Sequence, residues 1–359
     1  MKVLITGAAG FLGQYVVAEA LCRGHAVRAV VRPSTDLSQV RWRDRPDVEG
    51  VRLNLNDREG LYPAVRGVDA AIHLAAAKSG DFASQFTDTV AATQKLLAVM
   101  GELGLTRLVA ISSFSVYDRL HPPEGTLLDE SSSLEPAPQY RDAYAQMKLL
   151  QERLVRAFEQ NRNGAVTLLR PGAIYGRENL WNAHLGAKLQ EDLWLAVGDR
   201  ARIPLTYVEN CASAIVKALE SPEAIGQTLN IVDDDLPTQR EFVELLAAQG
   251  VEMPRTIPIG WTAMRLLARA VWTLSQSANH PFALPGILTP ARLHARFKPL
   301  NYSNSRAKQL LRWRPSYFLA TAIARSRGKF PLPELPTPSM VQPRSSQTSP
   351  RTPAKTPTL

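Results

Sequence analysis

The chain has few of the features that mark secreted or metal-bound scaffolds. Its 359 residues include only two cysteines, Cys22 and Cys211, which lie far apart and outside any C-x-x-C pair. This scarcity argues against a disulfide framework and against a zinc site, and we expect no metal. No secretory signal follows Met1, because the short apolar run 3–5 soon meets Gly7. We therefore expect a cytoplasmic protein.

Long apolar stretches and blocks of basic residues are also missing. No stretch approaches the roughly 20 apolar residues of a membrane span. The formal net charge is +9, which would suit an anionic partner, but the basic residues are scattered and form no run of five. We expect solvated surface charge and a small-molecule substrate, and no nucleic-acid partner.

The N-terminal half alternates short apolar runs with helical spacing. Helices are predicted after most of the runs, including 84–103 and the stretch that reaches about residue 160. Such alternation is typical of a parallel sheet with helices on both faces, so we predict an α/β, doubly wound fold. Six runs are predicted to be strands: 2–6, 25–31, 51–55, 69–75, 107–112 and 165–171.

The segment TGAAGFLG, residues 6–13, joins the first predicted strand to the first helix. In this setting Gly7 allows the tight turn, Gly10 lets the backbone approach a pyrophosphate, and Gly13 allows the helix to pack closely on the strand. The helix N-terminus adds free N–H groups for phosphates. The spacing G-x-x-G-x-x-G is one residue longer than the common fingerprint, and it predicts a bound dinucleotide.

The end of the second strand selects between the two nicotinamide dinucleotides. An acid there would bind the ribose 2′-hydroxyl of NAD, whereas this chain has Arg32, which could pair with a 2′-phosphate. We therefore favour NADP over NAD. Arg32 could instead stack on adenine or face solvent.

Beyond Gly176 the pattern becomes irregular and richer in Trp and Pro. We predict a dinucleotide-binding Rossmann domain over 1–175, completed by strands near 204–232, and a smaller C-terminal substrate-binding portion over 176–330. The Pro/Ser/Thr-rich stretch 331–359 is predicted to be a disordered tail.

In the segment DAYAQMK, Tyr144 and Lys148 are four residues apart on a predicted helix, so they share one face. A free phenol has a pKa of about 10. A neighbouring ammonium favours the phenolate and lowers that pKa, which would suit acid–base chemistry. Alone, the pair also fits an ordinary surface contact.

Five segments occur in an order that resembles the extended short-chain dehydrogenase/reductases, the NAD-dependent epimerase/dehydratase family. The segments are TGAAGFLG, HLAA (73–76), SSFSVY (112–117), YAQMK (144–148) and LRPGAIYG (169–176). The segment 301–316 also resembles that family, so the resemblance covers about residues 1–315. It implies an enzyme.

The resemblance implies a role for each candidate catalytic residue. Tyr144 would be the acid/base on a substrate hydroxyl or carbonyl, and Lys148 would lower its pKa and hold the nicotinamide ribose. Ser113 would hydrogen-bond the same substrate oxygen, with Ser112 and Ser115 as alternatives. The implied dinucleotide contacts are Gly7, Gly10, Phe11, Leu12, Gly13, Arg32, Asn54, Leu55, Leu74, Ala75, Ala76, Tyr144, Lys148, Pro171 and Ile174.

Two positions depart from the family pattern. Thr89 stands where members often have an Asn that supports the lysine through water, so the proton relay is in question. Asn54 stands in place of an adenine-contacting Asp, and it can still accept a hydrogen bond.

The resemblance also bears on the type of reaction. A dehydratase would need an acidic pair where this chain has Phe114 and Ser115. A nucleotide-sugar epimerase often has an Asn at Gly172 and an Arg near Ile203. For that enzyme, three other arginines offer substitutes: Arg177, Arg200 and Arg202.

The segment PLTYVENCASAIVKAL (204–219) looks like that of 3β-hydroxysteroid dehydrogenases and dihydroflavonol-type reductases, which take bulky uncharged substrates. We expect an NAD(P)-dependent oxidoreductase acting on a secondary alcohol or ketone. The alternatives are an epimerase with tightly held NAD and a non-catalytic dinucleotide sensor. The apolar stretch 260–274 could line the pocket, contact a membrane surface or form an ordinary packed helix. A homodimer through 84–103 and 140–160 is implied by resemblance.

Overall fold

A computed structural model describes residues 1–38, 40–177, 179–277 and 284–328. The predicted disordered tail lies outside the described residues. The strands are β1 Lys2–Thr6, β2 Ala26–Val31, β3 Val48–Arg52, β4 Ala70–His73, β5 Arg107–Ile111, β6 Leu127–Leu128, β7 Ala165–Pro171, β8 Ala173–Tyr175, β9 Ala187–Gln190, β10 Leu193–Val197, β11 Leu205–Tyr207, β12 Thr228–Ile231, β13 Arg255–Ile259 and β14 Asn301–Tyr302.

Helices follow most strands of the central sheet. They are α1 Phe11–Cys22, α2 Arg58–Val65, α3 Phe82–Gln85, α4 Ala92–Glu102, α5 Ala143–Arg162, α6 Val208–Glu220, α7 Gln239–Ala248, α8 Trp261–Ser277, α9 Pro290–Phe297, α10 Ser305–Leu311 and α11 Leu319–Ser326. A π-helical segment, Phe86–Ala91, joins α3 to α4. None of the helices in the described ranges is both long and apolar enough to cross a membrane.

Seven of the described strands form one parallel sheet in the order β12-β7-β5-β4-β1-β2-β3. Successive side chains of β1 point to opposite faces of the sheet: Val3 and Ile5 pack in one apolar cluster, and Leu4 packs in the other. The first cluster includes α1 and α6, and the second includes α2, α4 and α5. The predicted doubly wound α/β fold is confirmed.

Three elements differ from the sequence prediction. The third strand spans Val48–Arg52 rather than the predicted 51–55. It is a half-exposed edge strand with little apolar signal, so the sequence pattern placed it too late. The predicted helix 84–103 contains the π-helical segment. The strand β11 pairs with β8 in a separate two-stranded sheet rather than extending the central one, where Ala173 donates to the carbonyl of Pro204 at 2.6 Å.

Part of the chain beyond residue 176 packs around a third small sheet, β13-β10-β9. Met264 and Ala268 of α8 pack with Leu293 and Phe297 of α9 in an apolar cluster. The opposite face of α8 is exposed, with Leu274 at 70% exposure. The apolar stretch 260–274 thus lies almost wholly within helix α8, one face of which is packed.

Candidate active site

The carboxyl ends of the central strands open onto a cavity of about 1120 Å³. In a parallel sheet these ends share one edge, which is where such folds place their ligands. All the residues predicted for cofactor or catalysis line this cavity: Gly7, Gly10, Phe11, Leu12, Gly13, Arg32, Asn54, Leu55, Leu74, Ala75, Ala76, Ser113, Tyr144, Lys148, Pro171 and Ile174.

The glycine loop forms an anion cradle at the start of α1. Gly7 adopts a φ of +72°, a left-handed conformation that glycine tolerates best. Gly10 is the N-cap of α1, and no side chain caps this helix end. The first N–H groups of α1 thus lack a side-chain acceptor, and they line the cavity. This arrangement fits the pyrophosphate of a nicotinamide dinucleotide.

Arg32 forms an ion pair that the sequence did not indicate. Its guanidinium lies 3.1 Å from the carboxylate of Asp88, which comes from the π-helical segment. Both side chains line the cavity and both are exposed, so the pair is worth little energetically and can open. An acid therefore stands next to Arg32 after all, which weakens the sequence argument for a 2′-phosphate.

Tyr144 lies on the first turn of α5, whose N-cap is the side chain of Asp142. Burial raises the pKa of Tyr144 to about 12, and a hydrogen bond with Ser113 only partly opposes this. The expected lowering by Lys148 is not found in this structure. The Lys148 Nζ lies 5.9 Å from the centroid of the Tyr144 ring, and desolvation of the phenolate dominates.

Lys148 is almost fully buried, with 3% of its surface exposed. Its Nζ donates to the carbonyl of Ile111 and to the side-chain oxygen of Gln151, both at 2.8 Å. Burial, assisted by the charge of Lys78, lowers the pKa of Lys148 to about 7. Because the amine is partly neutral near pH 7, its electrostatic effect on Tyr144 is reduced further.

Gln151 connects Lys148 to the interior of the sheet. Its amide nitrogen donates to the Thr93 hydroxyl at 2.9 Å, and that hydroxyl lies 2.9 Å from a ring nitrogen of His73. Thr89, the departure noted above, instead accepts a hydrogen bond from the Ala77 backbone at 2.9 Å. Lys148 is thus held directly by the amide side chain of Gln151, a residue that the sequence analysis did not single out.

The pKa of Lys148 predicts a pH dependence of stability. Between pH 7 and its usual pKa of 10.5, the unfolded chain binds more protons at this residue than the folded chain, so its contribution to stability rises with pH. Relative to Lys148→Met, the wild-type free energy of unfolding should rise by about 2 kcal/mol from pH 7 to pH 9. Urea unfolding at several pH values measures this difference.

The control for that experiment is Lys217→Met, which removes an exposed amine that donates to the Arg312 carbonyl. If the difference in unfolding free energy between wild type and Lys148→Met stays constant or falls as the pH rises, folding does not lower the pKa of Lys148.

The three candidate serines have different partners. The Ser112 hydroxyl donates to Glu152, which is held in a buried ion pair with Arg170 at 2.7 Å. The Ser113 hydroxyl contacts Tyr144 and accepts a hydrogen bond from the backbone of Ser115. The Ser115 hydroxyl is buried without a partner among the described residues. Ser113 is thus the serine that touches the phenol.

Several residues considered for substrate binding lie elsewhere. None of the three substitute arginines, Arg177, Arg200 and Arg202, is among the described residues that line the cavity, and Arg202 lines a separate surface groove. Residues of α8 are likewise absent from the described lining. Arg119, which the sequence analysis did not consider, does line the cavity.

Comparison with known proteins decides the family. The family model described as NAD dependent epimerase/dehydratase family matches residues 3–232. The chain belongs to this family. It is therefore an enzyme of the extended short-chain dehydrogenase/reductase type, as the sequence predicted.

Curated members of the family include dehydrogenases and reductases. The 2-alkyl-3-oxoalkanoate reductase of Stenotrophomonas maltophilia is 31% identical over 293 residues, which cover 78% of this chain and 86% of that protein. The mouse sterol-4-alpha-carboxylate 3-dehydrogenase, decarboxylating, is 26% identical over 341 residues, which cover 92% of this chain and 91% of that protein. The oxidoreductase prediction matches these members.

A solved structure shows the same fold. UDP-glucuronic acid 4-epimerase from Bacillus cereus, in complex with NAD, superposes with a TM-score of 0.67 at 21% identity. The match covers 90% of this chain and 96% of that one.

Proposed function

We propose that the protein is an NAD(P)-dependent oxidoreductase that interconverts a secondary alcohol and a ketone. The observation that carries the proposal is Tyr144 at the cavity wall, hydrogen-bonded to Ser113 and backed by buried Lys148. The chain thus offers a phenol, a hydroxyl and an amine together at the edge of a cavity that fits a dinucleotide.

Each of these residues has a distinct role in the proposed reaction. The nicotinamide, when bound, supplies or accepts the hydride at the substrate carbon. In ketone reduction Tyr144 donates its proton to the substrate oxygen, and oxidation reverses the transfer. The raised pKa keeps Tyr144 protonated at neutral pH, which suits reduction. Ser113 orients the substrate oxygen, and Lys148 holds the nicotinamide ribose.

The names of the two curated relatives suggest a substrate class. In a 2-alkyl-3-oxoalkanoate and in a sterol 4-carboxylate acted on at position 3, the reacting carbon is next to the carbon that bears the carboxylate. The substrate proposed for this chain accordingly has a 3-oxo or 3-hydroxy group and an apolar remainder, rather than a sugar nucleotide.

The cavity wall disfavours the epimerase alternative. A Cβ on Gly172 would lie 2.0 Å from the carbonyl oxygen of Pro204, so no side chain fits where those epimerases often have an Asn. The three arginines suggested for a diphosphate are not among the described residues of the cavity lining, although three other arginines, Arg119, Arg141 and Arg296, are.

For the cofactor, the proposal is that the Arg32–Asp88 pair sets the balance between NADP and NAD. Arg32 attracts a 2′-phosphate and Asp88 repels it. The cytoplasmic location and the homodimer remain predictions.

A nucleotide-release experiment tests the proposed function. Protein purified without added cofactor is denatured, and any released nucleotide is identified by chromatography. We expect less than stoichiometric nucleotide, because a dehydrogenase exchanges its cofactor at each turnover. Near-stoichiometric NAD would favour the epimerase instead.

Binding to two variants tests the cofactor proposal. Arg32→Ala should weaken NADPH binding about tenfold, the loss expected for one charge-assisted contact, and leave NADH nearly unchanged. Asp88→Asn should strengthen NADPH binding. If neither variant alters the NADPH-to-NADH affinity ratio in fluorescence titrations, the pair does not choose the cofactor.

A further inference from the structure

Arg119 is a buried cation with no acidic partner. Only 4% of its surface is exposed, and no ion pair joins it to an acid among the described residues. One guanidinium nitrogen donates to the carbonyl of Ala295 at 2.5 Å, and its Nε has no partner within the described structure. The guanidinium also lies 5.6 Å from the centroid of the Tyr302 ring.

The surroundings of Arg119 add further positive charge. Arg141 is near enough to disfavour the charged form of Arg119, although Arg141 has its own acid, Glu135, at 3.0 Å. Burial, followed by the charge of Arg119, lowers the pKa of His184 to about 3; the charge of exposed Arg296 also lowers it, and a hydrogen bond with the Arg296 backbone opposes this. This histidine is therefore neutral. Arg119, Arg141, Arg296 and His184 all line the cavity.

An unpaired buried charge is costly, because desolvation is not offset by an opposite charge. Burial indeed lowers the pKa of Arg119, although an arginine stays protonated at neutral pH. An anion that enters the cavity would supply the missing partner, and a carboxylate matches the planar guanidinium.

Arg119 also lies close to the proposed reaction centre. One guanidinium nitrogen is 3.5 Å from the carbonyl oxygen of Phe114, the residue after Ser113. Ser113 in turn contacts Tyr144. Arg119, Ser113 and Tyr144 thus line the same cavity, with Phe114 linking the guanidinium to the segment that carries Ser113.

We propose that Arg119 binds the carboxylate of the substrate and selects 3-oxo and 3-hydroxy acids over neutral ketones and alcohols. This inference rests on the oxidoreductase function proposed above. It departs from the uncharged substrates of the enzymes that the segment 204–219 resembles, and it makes Arg119 a specificity-determining residue.

The test compares a 2-alkyl-3-hydroxyalkanoate with its methyl ester, which removes the charge and keeps the carbon skeleton. Oxidation is followed by the appearance of NADH or NADPH. Wild type should prefer the acid, and Arg119→Met should lower kcat/KM for the acid about 100-fold while changing the ester less than about threefold. Arg119→Lys, which keeps the charge, should recover part of the preference.

A matched control is Arg292→Met. Arg292 also donates to a backbone carbonyl, that of Arg141 at 3.1 Å, and also has an unpartnered buried Nε, but it is absent from the described cavity lining. Its acid-to-ester ratio should stay at the wild-type value. If Arg119→Met does not fold, the acid-to-ester ratios of kcat/KM in wild type and in Arg119→Lys test the proposal instead.

The remaining outcomes separate this inference from the proposed function. Equal kcat/KM values for the acid and the ester in wild type, or a preference for the acid that survives Arg119→Met, would overturn the carboxylate site. Oxidation of neutral secondary alcohols but not of the acid would also overturn it and leave the oxidoreductase function standing. If no alcohol reduces the cofactor, the proposed function fails and the inference fails with it.

Discussion

Replacing Tyr144 with Phe should lower turnover about 1000-fold, within the range for loss of a general acid. The substitution removes one oxygen atom from the cavity wall and with it the proton donor next to Ser113. Dinucleotide affinity should change little, because the glycine cradle at α1 is untouched. Stopped-flow oxidation of NADPH with a panel of ketones measures turnover, and fluorescence titration measures affinity.

The control for this experiment is Tyr140→Phe, since Tyr140 lies one turn before α5 and its side chain is exposed. A Tyr144→Phe protein as active as wild type would remove the phenol from the mechanism. If wild type itself turns over no substrate yet still binds the dinucleotide, the sensor alternative is the better account.

Two glycine substitutions should separate folding from cofactor binding. An added Cβ at Gly13 would lie 2.1 Å from the Gly7 carbonyl oxygen, so Gly13→Ala must push α1 away from the β1 turn. We expect a loss of about 3 kcal/mol or more in unfolding free energy, the scale of severe overpacking, and no measurable NADH or NADPH binding. Urea unfolding and fluorescence titration give the two values.

At Gly10 the same substitution is much milder for the fold. Its Cβ would lie 3.2 Å from the Gly7 carbonyl, a tight contact that small shifts relieve. The methyl group would still crowd a pyrophosphate at the α1 N-terminus, so we expect affinity to fall about 100-fold with stability nearly unchanged. Gly50→Ala, whose Cβ would meet only Trp42 at 3.9 Å, is the control. Full affinity in Gly10→Ala would place the dinucleotide elsewhere.

The sequence predicted well those features that depend on local backbone geometry. The glycine loop needs a turn and a helix start within eight residues, and Tyr144 and Lys148 need only one helix face, so a short segment contains the whole signal. The central strands were found because each carries a continuous apolar run. The edge strand β3, with a half-exposed pattern, was placed too late in the chain.

Features that depend on distant contacts could not be predicted in this way. Asp88 meets Arg32 across 56 positions of the chain, and the carbonyl that Arg119 contacts comes from Ala295. No periodicity indicates such pairs before the fold is known. Gln151 was accessible in principle, because it lies three residues after Lys148 on the same helix.

The Tyr144–Lys148 pair shows what charge counting omits. The residue types correctly indicate an ammonium near a phenol, but not how far water is excluded from both. In the structure, desolvation favours the neutral form of each group, so it raises the pKa of Tyr144 and lowers the pKa of Lys148. Burial, which a sequence reveals only indirectly, therefore decides the sign.

The close approach of Gly172 to Pro204 constrains which residues can replace this glycine. Gly172→Asn alone cannot place the amide side chain often found in nucleotide-sugar epimerases, because the β8–β11 pair occupies that space. The backbone of that pair would have to move to make room for any side chain at this position. The residue at position 172 is therefore coupled to the geometry of the β8–β11 pair, and any larger side chain there requires a compensating change in that pair.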